Sequence, residues 1–296
     1  MNSFNKNLGY IQDDLNLSFK NQHTVAEGVA SQSYIVELND DSRIFIKQGR
    51  NRNRLELETK ALESIDFEKK PEIIGYNYSE PRYIALDYYE DNLSWNKDNF
   101  IENFAENLGS SLRNIHNLEP NISLPTFNRD LKSYRVKDNS HMNKKYNELI
   151  IETCSKLKDM DSDISFIHGD VNFGNIRLNE DGTINTYLDW ESAGFEYSLF
   201  DVAKAESILD ILCYYIDDYT KYELRKIFRD SYGLEKRNEY ELWKLIRQYA
   251  NYQKFKKYNG VHYNYGKESK ESYELERQLN EIEEQYQLTK EAITKI

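Results

Sequence analysis

The 296-residue chain has little cysteine, proline or histidine, with 2, 4 and 5 copies. Cys154 and Cys213 lie far apart and without metal-ligand spacing, so they read as reduced, buried thiols, and neither a disulfide framework nor a structural zinc site is expected. No apolar run approaches the roughly 20 residues of a membrane span. The first ten residues, MNSFNKNLGY, lack the apolar core of a secretory signal. The expectation is a cytoplasmic protein with no membrane partner. Basic residues are outnumbered, 39 to 51, for a net charge of −12, and no Lys/Arg-rich stripe with interleaved aromatics appears. Nucleic acid is therefore not an expected partner. An acidic surface would concentrate a cationic small molecule, although it serves solubility equally well. The 39% hydrophobic content supplies a sizeable core, and the length suggests about two domains or lobes.

One stretch carries most of the chemistry, FIHGDVNFGNIRLNEDGTINTYLDWE from Phe166 to Glu191. Ile176-Arg177-Leu178 and Thr186-Tyr187-Leu188 are short β-type runs, and between them Asn179-Glu180-Asp181-Gly182 holds the Asp-Gly signal of a hairpin. Asn175 precedes the first run and Asp189 follows the second. Facing residues at the open end of such a hairpin have Cα atoms roughly 4.5 to 5.5 Å apart, so an amide oxygen and a carboxylate can converge on one ion. Hard oxygen ligands of this kind suit Mg²⁺, which takes further ligands from nucleotide phosphates. Asp170 is placed at the end of an Ile164–Ile167 strand, where it can face the same ion and a substrate hydroxyl. Phosphoryl transfer asks for this set: one carboxylate to orient the hydroxyl and accept its proton, and metal ligands to hold the phosphates in line.

The chain here resembles the aminoglycoside phosphotransferase family of small-molecule kinases. The resemblance rests on His168-Gly169-Asp170, Asn175, Asp189-Trp190-Glu191 and Asp201, and extends roughly from Gly28 to Tyr258. It implies an α+β, two-lobed, protein-kinase-like fold, with a nucleotide-binding β-rich lobe over 1–87, a hinge over 88–92, and a helical lobe over 93–296. Protein kinases carry His-Arg-Asp where this chain has His168-Gly169-Asp170, and that arginine pairs with an activation-loop phosphate. Neither a Phe-Gly after Asp189 nor an Ala-Pro-Glu motif is present. A peptide substrate is thus unexpected, which leaves a small molecule.

The family pattern extends to the N-terminal third. Gly28-Val29-Ala30-Ser31-Gln32-Ser33 is expected as a loop over the nucleotide phosphates, with Gly28 and Ser31 as its contacts. Tyr34–Leu38 and Arg43–Lys47 follow as strands, and the resemblance assigns Lys47 to the α- and β-phosphates. A helix is expected over Asn53–Ile65 from the stripe Leu55, Ala61, Leu62 and Ile65. Glu58 is the implied partner of Lys47, with Glu56 as the alternative. The strand Tyr83–Leu86 leads to the implied hinge, where backbone groups of Asp87 and Tyr89 would meet the base of ATP or GTP.

Helical periodicity takes over afterwards, in Ile101, Phe104, Ala105, Leu108, Leu112 and Ile115, with Pro120 and Pro125 beyond the stop. Leu199–Tyr215 reads as a mostly apolar, buried helix with Asp201 near its first turn, capping it or bracing the catalytic loop. Glu239–Tyr258 is another helix. The acceptor site, by the resemblance, lies between the catalytic loop and these helices, and Glu191, Glu196, Asp210, Asp217 and Asp218 are its candidate carboxylates. Asp217-Asp218 reads equally as a solvated helix end. At the C-terminus, Leu275, Leu279, Ile282, Tyr286 and Ile293 read as an amphipathic helix laid on the helical lobe, in preference to a dimer seam. A monomer or weak dimer is expected.

The expected activity is transfer of the γ-phosphoryl group of ATP or GTP, with Mg²⁺, to a hydroxyl of a cationic small molecule, an aminoglycoside first. A choline, amino alcohol, sugar or macrolide kinase is the alternative. A silent kinase fold acting as a binding module would be expected to lack Asp170 or Asp189, and the chain has both.

Overall fold

The computed structural model describes residues 3–27, 31–49, 51–90, 99–127, 144–160, 163–212, 218–257, 282–283 and 285–296. The N-terminal region is a five-stranded antiparallel sheet in the order β1-β2-β3-β5-β4, formed by β1 (Phe19–Glu27), β2 (Ser31–Leu38), β3 (Arg43–Gly49), β4 (Ile73–Asn77) and β5 (Tyr83–Asp87). Each face carries its own helix. On one side α1 (Ser3–Leu15) sets Leu8 and Ile11 against Tyr34, Val36, Ile44, Ile46, Tyr83 and Ala85, and Tyr83 donates its hydroxyl hydrogen to Asp14 at 2.6 Å. On the other, α2 (Arg52–Ser64) brings Leu55, Ala61 and Leu62 to Ile84 and Leu86. With both faces covered, Tyr83, Ile84, Ala85 and Leu86 are all buried, which is why β5 reads as a continuous apolar run. Period-two alternation also places Lys47 on the α2 side, since Ile44 and Ile46 occupy the α1 side.

The C-terminal part is mainly helical, with α3 (Phe100–His116), α4 (Lys144–Asp159), α5 (Ser198–Leu212), α6 (Asp218–Tyr232) and α7 (Arg237–Lys257). Two small antiparallel pairs are set among them, β6 (Ile164–Ile167) with β9 (Gly194–Tyr197) and β7 (Ile176–Leu178) with β8 (Ile184–Tyr187). A single apolar core runs from α2 and β5 through α3 and the β7–β8 hairpin to α5 and α7. The hairpin turns at Gly182 (φ +87°), whose N–H donates to the Asn179 carbonyl at 3.1 Å, so the Asp-Gly signal acts through a backbone that only glycine adopts freely. Three side chains of α3 fasten it. Asn107 Oδ1 accepts from the Ile184 N–H at 2.8 Å, Asn103 donates to the Asp181 carbonyl at 2.9 Å, and Ser111 and Tyr187 share a 2.5 Å hydroxyl pair.

At the C-terminus residues 285–295 are helical and lie against α7. Gln285 and Thr289 both donate to the Glu241 carbonyl, at 3.1 and 3.3 Å, and Ile282, Ala292 and Ile293 are buried in the core. That arrangement matches the amphipathic helix expected there, while Leu275 and Leu279 lie outside the described residues.

Candidate active site

The strand β6 delivers His168, Gly169 and Asp170 to the base of the β7–β8 hairpin. His168 is fully buried, and burial holds its imidazole below the ordinary histidine range and therefore neutral. Its Nδ1 accepts the Asp170 N–H at 3.2 Å, which assigns the ring hydrogen to Nε2, the donor to the Leu188 carbonyl at 3.0 Å. One ring thus ties the His168–Asp170 segment to the residue that follows β8. Trp190 lies 4.5 Å from it between ring centroids and stacks on Phe166 at 6.1 Å, so the Trp of Asp189-Trp190-Glu191 is an anchor in the core. Gly169 has φ +79°, and a Cβ there would run into the Ser192 carbonyl. The backbone requires that glycine. No arginine fits the position, whatever the substrate.

Asn175 donates through Nδ2 to the Asp170 carbonyl at 2.9 Å and to Asp170 Oδ2 at 3.1 Å, which turns its amide oxygen to the opposite side. The hairpin register pairs Ile176 with Tyr187, and the Leu188 N–H donates to the Asn175 carbonyl at 2.7 Å. Asn175 therefore faces Leu188, and Asp189 sits one residue beyond the position expected from direct pairing. A left-handed backbone at Asp189 (φ +63°, ψ +63°) turns the chain there, a conformation Asp tolerates better than most residues.

Across from this hairpin, Lys47 meets three carboxylates: Glu58 Oε2 at 3.0 Å, Asp189 Oδ1 at 2.6 Å and Glu191 Oε2 at 2.9 Å. Glu56 is occupied with Arg52 at 2.5 Å on the helix surface, so the choice between the two glutamates falls to Glu58. Burial would lower the Lys47 pKa, but Glu58, Asp189 and Glu191 more than offset it and hold the ammonium charged. The fully buried Glu58 carboxyl is pushed up by burial against the pull of Lys47. Oxygen donors of Glu58, Asp189 and Glu191 all lie within 4.8 Å of one another. All three converge on the Lys47 ammonium in this structure; carboxylate oxygens are hard donors of the kind Mg²⁺ takes, so Asp189 fits such an ion once its oxygen leaves Lys47.

The nucleotide-side expectations fare unevenly. Ser31 is not in a loop: β2 starts there, and Ser31, Gln32 and Ser33 pair with Gly49, Gln48 and Lys47, because the β2–β3 ladder runs past Tyr34. Gly28 lies outside the described residues. Asp87 closes β5 opposite Ile44, and its N–H donates to the Glu72 carbonyl at 3.1 Å, so that N–H is already engaged and is not open to a base. Tyr89 follows, its phenol in contact with Thr186 of β8.

Of the acceptor-side carboxylates, Glu191 is engaged by Lys47 and by Arg54 at 2.8 Å, and Glu196 is 3% exposed on β9 opposite Ser165. Asp217 and the side chains of Asp210 and Asp218 lie outside the described residues. Asp201 is buried in the first turn of α5, where His116 Nε2 approaches it at 3.4 Å, a structural position as expected.

Sequence reasoning missed the residue in closest contact with Asp170. Lys204, on α5 and 8% exposed, pairs with Asp170 Oδ1 and donates to the Gly169 carbonyl at 2.6 Å. Burial works to raise the Asp170 carboxyl, yet the charge and hydrogen bond of Lys204 outweigh it, helped by the more distant Arg247 of α7, and hold it below the usual carboxylate range. A signal existed. Lys204 and Glu206 are charged residues inside a stretch otherwise read as apolar, and buried charges require partners.

A sheet region and a helical region meeting at a lysine–glutamate pair, an asparagine and two aspartates define a small-molecule kinase of the protein-kinase-like fold. The chain belongs to the phosphotransferase enzyme family (APH), which it matches over residues 22–222. Solved structures of similar fold include an amicoumacin kinase, hAmiN, in complex with AMP-PNP, Ca²⁺ and amicoumacin, at 12% identity, TM-score 0.61 and 96% coverage of both chains. A choline/ethanolamine kinase family protein from Mesorhizobium loti matches at 12% identity, TM-score 0.65 and 92% of both chains. The aminoglycoside phosphotransferase APH(4)-Ia matches at 10% identity, TM-score 0.61 and 97% of both chains. No curated protein sequence matches the chain. Among the described residues, no helix is long and apolar enough to cross a membrane.

Proposed function

We propose that this protein transfers the γ-phosphoryl group of ATP or GTP to a hydroxyl of a small molecule, with an aminoglycoside as the first candidate acceptor. One observation carries the reading: Lys47, paired with Glu58, reaches Asp189, while Asn175 joins Asp170 at the base of the same hairpin. In this reading Lys47 binds the α- and β-phosphates, which displace Asp189 or Glu191 from its ammonium, and Arg54 already offers Glu191 a second partner. Asn175 and Asp189 hold Mg²⁺, which when bound neutralises phosphate charge and aligns the γ-phosphoryl group. Asp170 orients the acceptor hydroxyl. As its oxygen bonds to the γ-phosphorus, the bond to the β-bridging oxygen breaks, the electron pair leaves with the nucleoside diphosphate, and the hydroxyl proton passes to Asp170. A loose transition state needs little deprotonation beforehand, so a weakly basic carboxylate suffices.

Acceptor choice rests on the net charge of −12 and on the antibiotic and amino-alcohol kinases among proteins of this fold. Lys204 and Arg247 bring positive charge to Asp170. Ammonium groups on the acceptor must therefore lie away from the reacting hydroxyl, because like charges brought together cost binding energy. A cytoplasmic location and a monomeric or weakly dimeric state belong to this proposal.

A screen of purified protein with ATP and with GTP over aminoglycosides, macrolides, sugars and amino alcohols tests the reading. Turnover on an aminoglycoside supports it, and turnover on another class alone moves the acceptor to that class. Absence of turnover on every acceptor with both nucleotides contradicts the enzymatic reading.

A further inference from the structure

The face of α5 that looks at the catalytic loop carries Asp201 and, three residues on, Lys204, neighbours on one helical stripe. Lysine is seldom this deeply buried without a specific partner. The partners are the Gly169 carbonyl and one oxygen of Asp170, while Asn175 holds the other oxygen and His168 the Asp170 N–H. Both carboxylate oxygens and the backbone of one residue are thus gripped from three directions, two of them local in sequence and the third brought from α5. Without the ammonium, Asp170 would keep a side-chain contact on Oδ2 alone, and its carboxylate would be held less firmly.

We propose that Lys204 is a positioning residue of the phosphoryl-transfer centre, fixing the Asp170 carboxylate and the Gly169–Asp170 backbone in the orientation that meets the acceptor hydroxyl. It rests on the reading of Asp170 as the group that faces the acceptor. Misplacement of a reacting group by about 1 Å costs on the order of 100-fold in rate. The groups assigned to the nucleotide are Lys47, Asp189 and Asn175, and Lys204 bonds to none of them directly, its partners being the Gly169 carbonyl and Asp170 Oδ1.

The test compares wild type with Lys204→Met, Lys204→Gln and Lys204→Arg, measuring kcat and KM for nucleotide and acceptor together with Tm. Lys204→Met is expected to lower kcat by about 100-fold with nucleotide KM unchanged. Lys204→Arg, which keeps the charge, is expected to recover a large part, with Lys204→Gln below it. If the Met variant fails to fold, the Gln and Arg pair decides. Equal kcat in Gln, Arg and wild type overturns the proposal, as does a loss of kcat in all variants that merely tracks Tm. Wild-type turnover with unaltered variants defeats only this inference, whereas a wild type without turnover defeats the enzymatic reading on which it stands.

Discussion

Asp170→Asn is expected to lower kcat by roughly 10² to 10⁴-fold, the usual contribution of a positioned general base, with little change in nucleotide affinity. Asparagine keeps the shape and can still accept from Asn175, but it cannot take the hydroxyl proton. It also leaves the Lys204 ammonium without its anionic partner, so Tm should fall somewhat. Adding Lys204→Met to Asp170→Asn removes the stranded charge, and the pair should regain stability without regaining turnover. That split separates chemistry from packing. Steady-state kinetics, nucleotide titration and thermal melts on the single and double variants check it, and an Asp170→Asn enzyme with full kcat would remove the residue from the mechanism.

The largest effect on stability is expected at Glu206, two residues from Lys204 on the same helix and doing no chemistry. Its fully buried carboxylate pairs with Lys244 of α7 and takes both nitrogens of an Arg229 fork on α6 at 2.6 and 2.9 Å, with Arg225 at 3.6 Å. One anion joins three helices. Burial opposes the charge, but Lys244, Arg229 and Arg225 together hold the Glu206 pKa far below the usual carboxylate range. Glu206→Gln removes the anion that Lys244, Arg229 and Arg225 share, leaving Arg229 with Glu241 at 3.6 Å, and breaking a buried ion pair in this way costs about 3–5 kcal/mol. For a chain of this size that corresponds to a Tm lower by roughly 5–8 °C. The sign with pH follows from the depressed folded-state pKa. The stabilisation is complete above the unfolded value of about 4.3 and is lost only as pH falls below it, so the deficit should be constant between pH 6 and 8. A Tm within a degree or so of wild type would show that the hub contributes nothing net.

The parts of this molecule that were legible in its sequence are those where local chemistry and fold agree. Asp181-Gly182 announced the hairpin, and β6 and β7 have the expected bounds. The stripe from Ile101 to Ile115 gave α3 within a residue at either end. Glu58 was separable from Glu56 only in three dimensions, because both lie on one helix and the choice depends on which face meets β3. The helix α1 was missed although Leu8, Ile11 and Leu15 recur at helical spacing, since its polar remainder hides the stripe and the sheet face it covers is built later in the chain. The strands β4 and β9 are short, and β4 exposes Ile74 and Tyr76, so neither shows a clean alternation. Lys204 was passed over for a different reason. A helix read by its apolar content conceals the few charges inside it, and those charges were the ones aimed at Asp170 and at the Glu206 hub. The acceptor site remained hidden because its specificity depends on which helix faces converge, and no local pattern encodes that convergence.

Under the proposed function, Lys47, Asp189 and Asn175 would form a metal-dependent nucleotide site beside Asp170. Calorimetric titration with a non-hydrolysable ATP or GTP analogue, with and without Mg²⁺, tests it most directly. The expected result is binding that is strongly enhanced by Mg²⁺ in the wild type and in Asp170→Asn, with the enhancement lost in Asp189→Ala. Mg²⁺-independent binding, or an Asp189→Ala protein that keeps the full Mg²⁺ effect, would contradict the account.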